Sequence, residues 1–369
     1  MSKVCVYAIC KNEKQFVDRW LASMGNADYL CVLDTGSTDG TYELLQERAL
    51  CNKKLSVAQH VISPWRFDEA RNYSMKLIPL NADICVCTDL DEVFDDKSGN
   101  WCAELRKLFD KTSFDRLHYP FVWQVNKDGT DGVVFYGEKI HSNRSGYRWE
   151  HAVHETLKLC SGVTEKHVTT DTIRLLHFPD PTKSRSSYLP LLELDAVERP
   201  EDDRTAHYLG REYFFRKMYR ESIAELTRHI NLPTATWSDE RAASMRYIAK
   251  SYDYTGESDV AEKWYLRAIA EAPNLREGYV DYATYLLAKR KYPDALYFAQ
   301  RALTITQRTM SYINSSEAWG EAPYDIMSVA LWYLGNKELA LKNIDIALGY
   351  SPDNKRLLAN REMMLHGKD

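Results

Sequence analysis

The residues best equipped for chemistry are two acidic segments about fifty residues apart. Val32-Leu33-Asp34-Thr35-Gly36-Ser37-Thr38-Asp39-Gly40-Thr41 and Thr88-Asp89-Leu90-Asp91-Glu92 each close a short apolar run. Such a run reads as a buried parallel strand, and open α/β sheets collect their ligands at the carboxyl ends of strands. Asp89 and Asp91 follow Ile84-Cys85-Val86-Cys87 with one residue between them. At that spacing one carboxylate can reach a ligand hydroxyl or a metal-bound water while the other ligates an ion, and hard oxygens suit Mg²⁺ or Mn²⁺. Gly36 and the Ser-Thr-Asp-Gly turn allow backbone to approach a ligand. Helix capping by itself accounts for Ser37 and Thr38.

The elements that must hold these acids alternate. Apolar runs at 4–9, 29–33 and 84–88 are separated by amphipathic stretches near 16–24 and 41–50. That order, β-α-β-α-β, predicts a mostly parallel sheet flanked by helices. Tyr119 to Val125 and Val133 to Tyr136 are aromatic and β-branched, and Asn126-Lys127-Asp128-Gly129-Thr130-Asp131-Gly132 between them reads as a hairpin connection. Four prolines (Pro179, Pro181, Pro190 and Pro200) mark a boundary, and from Ser184 onward the pattern is helical. The expected division is 1–180 for the α/β domain, 181–204 for a linker and first helix, and 205–369 for helical repeats. Ala261, Tyr265 and Ala268 align with Ala295, Ala299 and Ala302, which stand one tetratricopeptide period further along. Ala340, Ile344 and Ala347 follow after a longer interval, which places an insertion around 311–320. A weaker copy at 205–231 has Ala224 at the small position, giving about four repeats. Most of the tyrosines in this half read as core, and stacked repeats expose a concave surface suited to a partner or a second copy.

Composition narrows the classes. A chain of 369 residues with 44% hydrophobic content can bury two cores. Its net charge of -5 and pI near 6.1 give no overall basic field, and the segment 1–185 carries 24 basic against 26 acidic side chains, which disfavours long nucleic acid as a partner. All eight cysteines, from Cys5 to Cys160, belong to the α/β part of the chain, several in predicted strands, and read as reduced core packing; the Cys85-Val86-Cys87 spacing suits neither zinc nor dithiol chemistry. No basic-then-apolar leader and no 18-residue apolar run occurs, so a cytoplasmic protein without a transmembrane segment is expected.

Four segments in order resemble the family 2 glycosyltransferases of GT-A fold: Lys11-Asn12-Glu13, Val32 to Thr41, Phe67-Asp68-Glu69-Ala70-Arg71-Asn72, and Thr88 to Glu92. The resemblance covers about residues 1–180, and a tetratricopeptide tail is a known companion, including in peptide-modifying members. It implies a UDP-sugar donor, UDP-glucose first, with Mn²⁺ or Mg²⁺, and a peptide, protein or saccharide acceptor. By position, Asp34 would contact the base, Arg71 the base or diphosphate, Asp89 the ribose and Asp91 the metal. Ala8 and Cys10 would meet the nucleoside through backbone atoms.

An inverting transfer also needs a general base for the acceptor proton. Tyr147 to Glu155 offers Glu150 and Glu155, and the Val153-His154-Glu155 triplet, which resembles that of relatives, favours Glu155. His154 is the first choice to complete the metal shell and His177 the competing one. The helical half would recruit the acceptor or form a homodimer. Two other classes share the acidic strand ends: a binding scaffold that has lost catalysis, and a nucleotidyltransferase. The clustered acids speak against the first, and the lack of a Gly-rich basic loop at Lys11-Asn12-Glu13 speaks against the second.

Overall fold

The computed structural model describes residues 1–95, 99–126, 129–144, 146–160, 162–183 and 186–366. Lys127 and Asp128 of the expected hairpin connection, and Ser184, lie outside them. The chain forms two compact units, Met1–Asp195 and Ala196–Asp369.

In the first unit the strands are β1 (Val4–Cys10), β2 (Tyr29–Asp34), β3 (Leu55–Gln59), β4 (Ile84–Asp89), β5 (Glu92–Phe94), β6 (Arg116–Val122), β7 (Val134–Ser142), β8 (Tyr147–Glu150), β9 (Thr156–Leu159), β10 (His167–Thr169) and β11 (Leu175–His177). One sheet runs β3-β2-β1-β4-β7-β6-β11-β5 with β10 beside β6, and β8-β9 forms a separate hairpin. The four strands β3, β2, β1 and β4 are parallel, and β7 enters antiparallel to both β4 and β6. The helices are α1 (Val17–Met24), α2 (Thr41–Cys51), α3 (Phe67–Met75) and α4 (Trp101–Thr112), and α5 (Tyr188–Glu198) runs across the division between the units.

The expected order 4–9, 29–33, 84–88 is present, but the structure adds β3 and α3 between the second and third of these strands. Leu55-Ser56-Val57-Ala58-Gln59 is a short edge strand with only Leu55 buried, so it lacks the apolar density that marks a central strand. In contrast, all seven residues of β1 are buried, with Trp20 of α1 beneath the sheet donating Nε1–H to Thr88 Oγ1 at 2.9 Å. Burying an indole of that size contributes about 2–3 kcal/mol. All eight cysteines are free thiols. Six are buried, with Cys85 and Cys87 in one apolar cluster, whereas Cys51 and Cys160 are exposed.

The second unit continues with α6 (Asp203–Phe215), α7 (Tyr219–Asn231), α8 (Ser238–Tyr254), α9 (Ser258–Glu271), α10 (Arg276–Ala288), α11 (Tyr292–Leu303), α12 (Ser316–Trp319), α13 (Ala322–Tyr333), α14 (Lys337–Tyr350) and α15 (Lys355–His366). It is an all-helical repeat array. The pairs α6/α7, α8/α9, α10/α11 and α13/α14 each turn through one residue of positive φ, at Lys217, Gly256, Arg290 and Gly335. In each turn the next amide bonds back to a carbonyl five residues earlier, as in Met218 N–H to Tyr213 and Lys291 N–H to Leu286. Ala261, Ala268, Ala295, Ala299, Ala302, Ala340 and Ala347 are buried, where a larger side chain would hold paired helices apart.

One aligned position changes. Ala224 is exposed, and the small buried residue of α7 is Ser222, four residues before Leu226 as Ala261 stands four before Tyr265. The buried hydroxyl is satisfied by donating to the Gly210 carbonyl at 2.8 Å, so a serine serves where the other copies have alanine. The inserted residues before α13 form an irregular segment and the single turn α12. No helix among the described residues is long and apolar enough to cross a membrane.

Candidate active site

The strand order creates one switch point, because the chain leaves β1 toward β2 and β3 and then returns to β4 on the other side. A crevice opens at the carboxyl ends of strands at such a point. Register places both acidic segments there: Cys10 pairs with Asp34, and Ile9 pairs with Asp89.

Asp34 has no exposed surface. Its Oδ1 accepts from Gly36 N–H and Ser37 N–H at 2.9 Å each and from Gln59 Nε2 at 3.0 Å, while Cys10 Sγ lies 3.6 Å from Oδ2. Burial pushes its carboxyl up, but the donors Ser37, Gln59 and Gly36 outweigh it and hold the group below the ordinary range. In this structure Asp34 organises the turn after β2, and contact with a base requires its Oδ2 to be uncovered. Ala8 lies inside the ladder, flanked by Val32 and Thr88, and the Cys10 carbonyl accepts from both N and Oγ1 of Thr35.

Arg71, Asp89 and Glu155 come together. Arg71 projects from α3, which is tied to β8 by a reciprocal pair: Asn72 Nδ2–H donates to the Trp149 carbonyl at 2.8 Å, and Trp149 N–H donates to Asn72 Oδ1 at 2.9 Å. The Arg71 Nη2 group donates to both oxygens of Asp89, at 2.9 and 3.2 Å, its Nε–H donates to Glu155, and its guanidinium lies 5.3 Å from the centre of the Trp149 ring. Burial disfavours the Asp89 charge, yet Arg71 and Lys139 overcome it and hold the carboxyl well below its usual range. Glu150 sits apart in this network, paired with Lys158 across the β8-β9 hairpin at 3.2 Å.

Asp91 is joined by His177, not by His154. His177 Nε2 lies 3.4 Å from Asp91 Oδ2, its Nδ1 lies 3.1 Å from the Trp123 carbonyl, and its ring stacks on Trp123 at 4.3 Å. The backbone fixes this approach, since Phe178 N–H donates to the Asp91 carbonyl at 2.9 Å. An imidazole whose Nδ1–H is held by a carbonyl presents Nε2 as a ligand. His154 packs its ring edgewise against Tyr188 at 5.6 Å.

Two lysines complete the cluster, and neither belongs to a sequence motif. Lys139 of β7 bridges Glu92 and Asp89, and Lys183 pairs with Glu13. No alternation announces the first: its neighbours Glu138 and Ile140 are exposed and buried, and the register with β6 slips opposite this point, between Leu117 and Tyr119. Burial pushes Glu13 up to about 7 against the pull of Lys183, and Glu92 likewise to about 7 against Lys139, with Asp89 and Asp91 adding to both shifts. Five carboxylates, Glu13, Asp89, Asp91, Glu92 and Glu155, thus meet three permanent cations, Arg71, Lys139 and Lys183. Asp91 Oδ1 and Glu13 Oε2 are buried without a hydrogen-bond partner. The orphaned hard oxygens and the presented imidazole fit a divalent cation.

Comparison with known protein families and with curated proteins returns no match. Among solved structures, the chain is similar to YrrB, described as a tetratricopeptide-repeat protein with an unusual peptide-binding site, at 14% identity over 48% of this chain and 82% of that one, with a TM-score of 0.36. MamA is similar at 14% identity over 48% of this chain and 99% of its own, TM-score 0.37, and yeast Tom70 at 15% over 50% and 36%, TM-score 0.39. Likenesses of this size say nothing about activity.

Proposed function

We propose that the first unit is a GT-A glycosyltransferase of the family 2 type, moving a sugar from a UDP-sugar, UDP-glucose first among donors, with Mn²⁺ or Mg²⁺. The observation that carries the reading is the Asp91–His177 pair, with its orphaned Asp91 oxygen, next to the Arg71–Asp89 pair in the crevice between β1 and β4. The parallel run β3-β2-β1-β4 followed by antiparallel β7 supports it. Asp91 and His177 would hold the ion, which when bound offsets charge on a diphosphate leaving group. Asp89, fixed by two hydrogen bonds from Arg71, faces the ribose. Arg71 also orients Glu155, the proposed base that takes the acceptor proton during inverting attack. Trp149 beneath the guanidinium keeps that cation from swinging away. The helical array recruits a peptide, protein or saccharide acceptor, or pairs with a second copy, in the cytoplasm.

The test is UDP release by the purified chain from a panel of UDP-sugars with Mn²⁺. Asp91→Ala is expected to lower the rate about 10²- to 10³-fold, the loss typical when a fixed charge-stabilising group is removed. His177→Ala should lower it far more than His154→Ala. Unchanged turnover in Asp91→Ala would sink the metal role.

A further inference from the structure

A second cluster of ligand-type side chains lies in the helical unit. Asp203 in the first turn of α6, His229 in the last turn of α7 and Glu240 in the first turn of α8 bring one ligand atom each to within 4.8 Å of one another. His229 has no exposed surface and Glu240 very little. The His229 Nε2 atom faces Glu240 Oε2 at 3.4 Å but makes no hydrogen bond. We propose that Asp203, His229 and Glu240 form a site for a transition-metal dication of the Zn²⁺ class, binding the first helical repeat to the start of the second.

Two features of the geometry point this way. Metal–ligand bonds of about 2.0–2.1 Å in a tetrahedral shell put neighbouring ligand atoms about 3.4 Å apart, which is the His229–Glu240 separation. Asp203 is half-exposed, and its ligand atom already lies within 4.8 Å of the other two. The imidazole is also oriented from behind. Ser244 Oγ lies 2.9 Å from His229 Nδ1 and 2.8 Å from His207 Nδ1. One hydroxyl carries one proton, so it donates to one ring and accepts from the other. When it donates to His207 it accepts His229 Nδ1–H, which leaves the Nε2 lone pair available to a metal ion beside the two carboxylates. Such a hydrogen-bond acceptor behind a ligating histidine is the usual outer support of a metal site.

The surroundings choose the kind of ion. Arg204, over the Tyr208 ring at 4.8 Å, interacts with the Glu240 charge, so positive charge is already near. A hard ion held by charge alone gains little there, whereas a transition metal gains a bond to imidazole nitrogen. Tyr312 of the inserted segment donates its hydroxyl proton to Glu240, which ties the insertion to the same point.

The experiment uses the full chain carrying Asp91→Ala, which removes the cation site proposed for the first unit. After chelator treatment it is titrated with Zn²⁺ while bound metal and melting temperature are followed. One equivalent should bind and raise the melting temperature. Adding Asp203→Asn or Glu240→Gln should weaken binding at least roughly 10- to 100-fold, as loss of even an outer support does at such sites. Asp203 is half-exposed, so Asp203→Asn keeps the apo chain folded with an unchanged apo melting temperature, and the test stands if Glu240→Gln fails to fold. Bound Co²⁺ should show visible absorption in the Asp91→Ala chain that Asp203→Asn loses. No uptake by the Asp91→Ala chain, or equal uptake with and without Asp203→Asn, overturns the site.

Discussion

The two units bring polar side chains together by different means. In the sheet unit the partners are distant in sequence: Lys183 meets Glu13 across 170 positions, Arg71 meets Glu155 across 84, and Lys139 meets Glu92 across 47. In the helical unit they lie about one repeat apart, as in Arg246–Asp281 at 35, Arg356–Asp325 at 31, Arg241–Glu271 at 30 and Lys291–Glu262 at 29. Parallel strands all deliver their carboxyl ends to one edge, so a sheet concentrates unlike groups at one place. Stacked hairpins touch only their neighbours, so the array spreads similar pairs along its length. Chemistry that draws together groups far apart in the chain is therefore expected in the first unit, whereas the second offers an extended surface and clusters built mostly from adjoining helices, such as Asp203, His229 and Glu240, which the insertion reaches through Tyr312.

The largest effect is expected from Arg71→Ala. It leaves Glu155 without its cation and Asp89 with Lys139 alone, a change expected to cost about 3–5 kcal/mol in urea unfolding of the first unit. If the loss is under about 1 kcal/mol, the level of an exposed pair, the cluster is not mutually dependent. Removing Arg246 from the neighbour-repeat pair Arg246–Asp281 is expected to cost less, because Asp281 keeps Lys250 at 2.8 Å.

A second test uses pH. Trp149 Nε1–H donates to the Tyr7 hydroxyl at 3.2 Å, Tyr7 donates to His141 Nε2 at 3.0 Å, and His141 Nδ1–H donates to the Ser142 carbonyl at 2.9 Å. That chain leaves no place for a second proton on the ring. Burial, with Arg116 adding to it, pushes the His141 pKa down to about 4 despite the Ser142 carbonyl. The unfolded chain takes up a proton near the ordinary value of about 6.5 that the folded chain refuses. This contribution to stability is complete above about pH 6.5 and declines as pH falls toward 4, by roughly 3 kcal/mol in all. Urea midpoints measured across that window should fall more gently for His141→Gln, which keeps an acceptor for Tyr7. Parallel slopes for the two proteins would show that His141 is not the titrating group.

The smallest expected effect concerns helix approach in the array. A Cβ added at Gly210 would lie 2.5 Å from Leu226 side-chain atoms and 3.1 Å from the Leu226 amide nitrogen. Gly210→Ala should destabilise the α6/α7 pair by about 1–3 kcal/mol, the range for overpacking, while the UDP-sugar binding proposed for the first unit should keep its affinity. Calorimetric melting with and without donor reads both. A loss of donor affinity would mean that the two units are not energetically separate.

Much of this was legible in residue order. Strands 4–9, 29–33 and 84–88 stand out because central parallel strands are apolar on both faces, and the regular spacing of Ala268 and Ala302 announces stacked hairpins because each copy must bury the same small contacts. The edge strand β3 was not legible, since half of it faces solvent. Ser222 was hidden behind Ala224 because composition does not tell which hydroxyl finds a carbonyl. The acids Asp34, Asp89 and Asp91 declare themselves, since carboxylates that close an apolar strand have few structural uses. Their companions do not. That His177 rather than His154 meets Asp91, and that Lys139 and Lys183 enter the cluster, depend on the pairing of β7 with β4, of β11 with β5, and on the course of the segment after β11. That Asp34 is sealed depends on its own turn and on Gln59 of β3. Local pattern carries the information for strands and helices, whose hydrogen bonds close within a segment or follow its periodicity. Which side chain reaches a partner far away in the sequence, as Lys183 reaches Glu13, is decided only when the sheet is assembled.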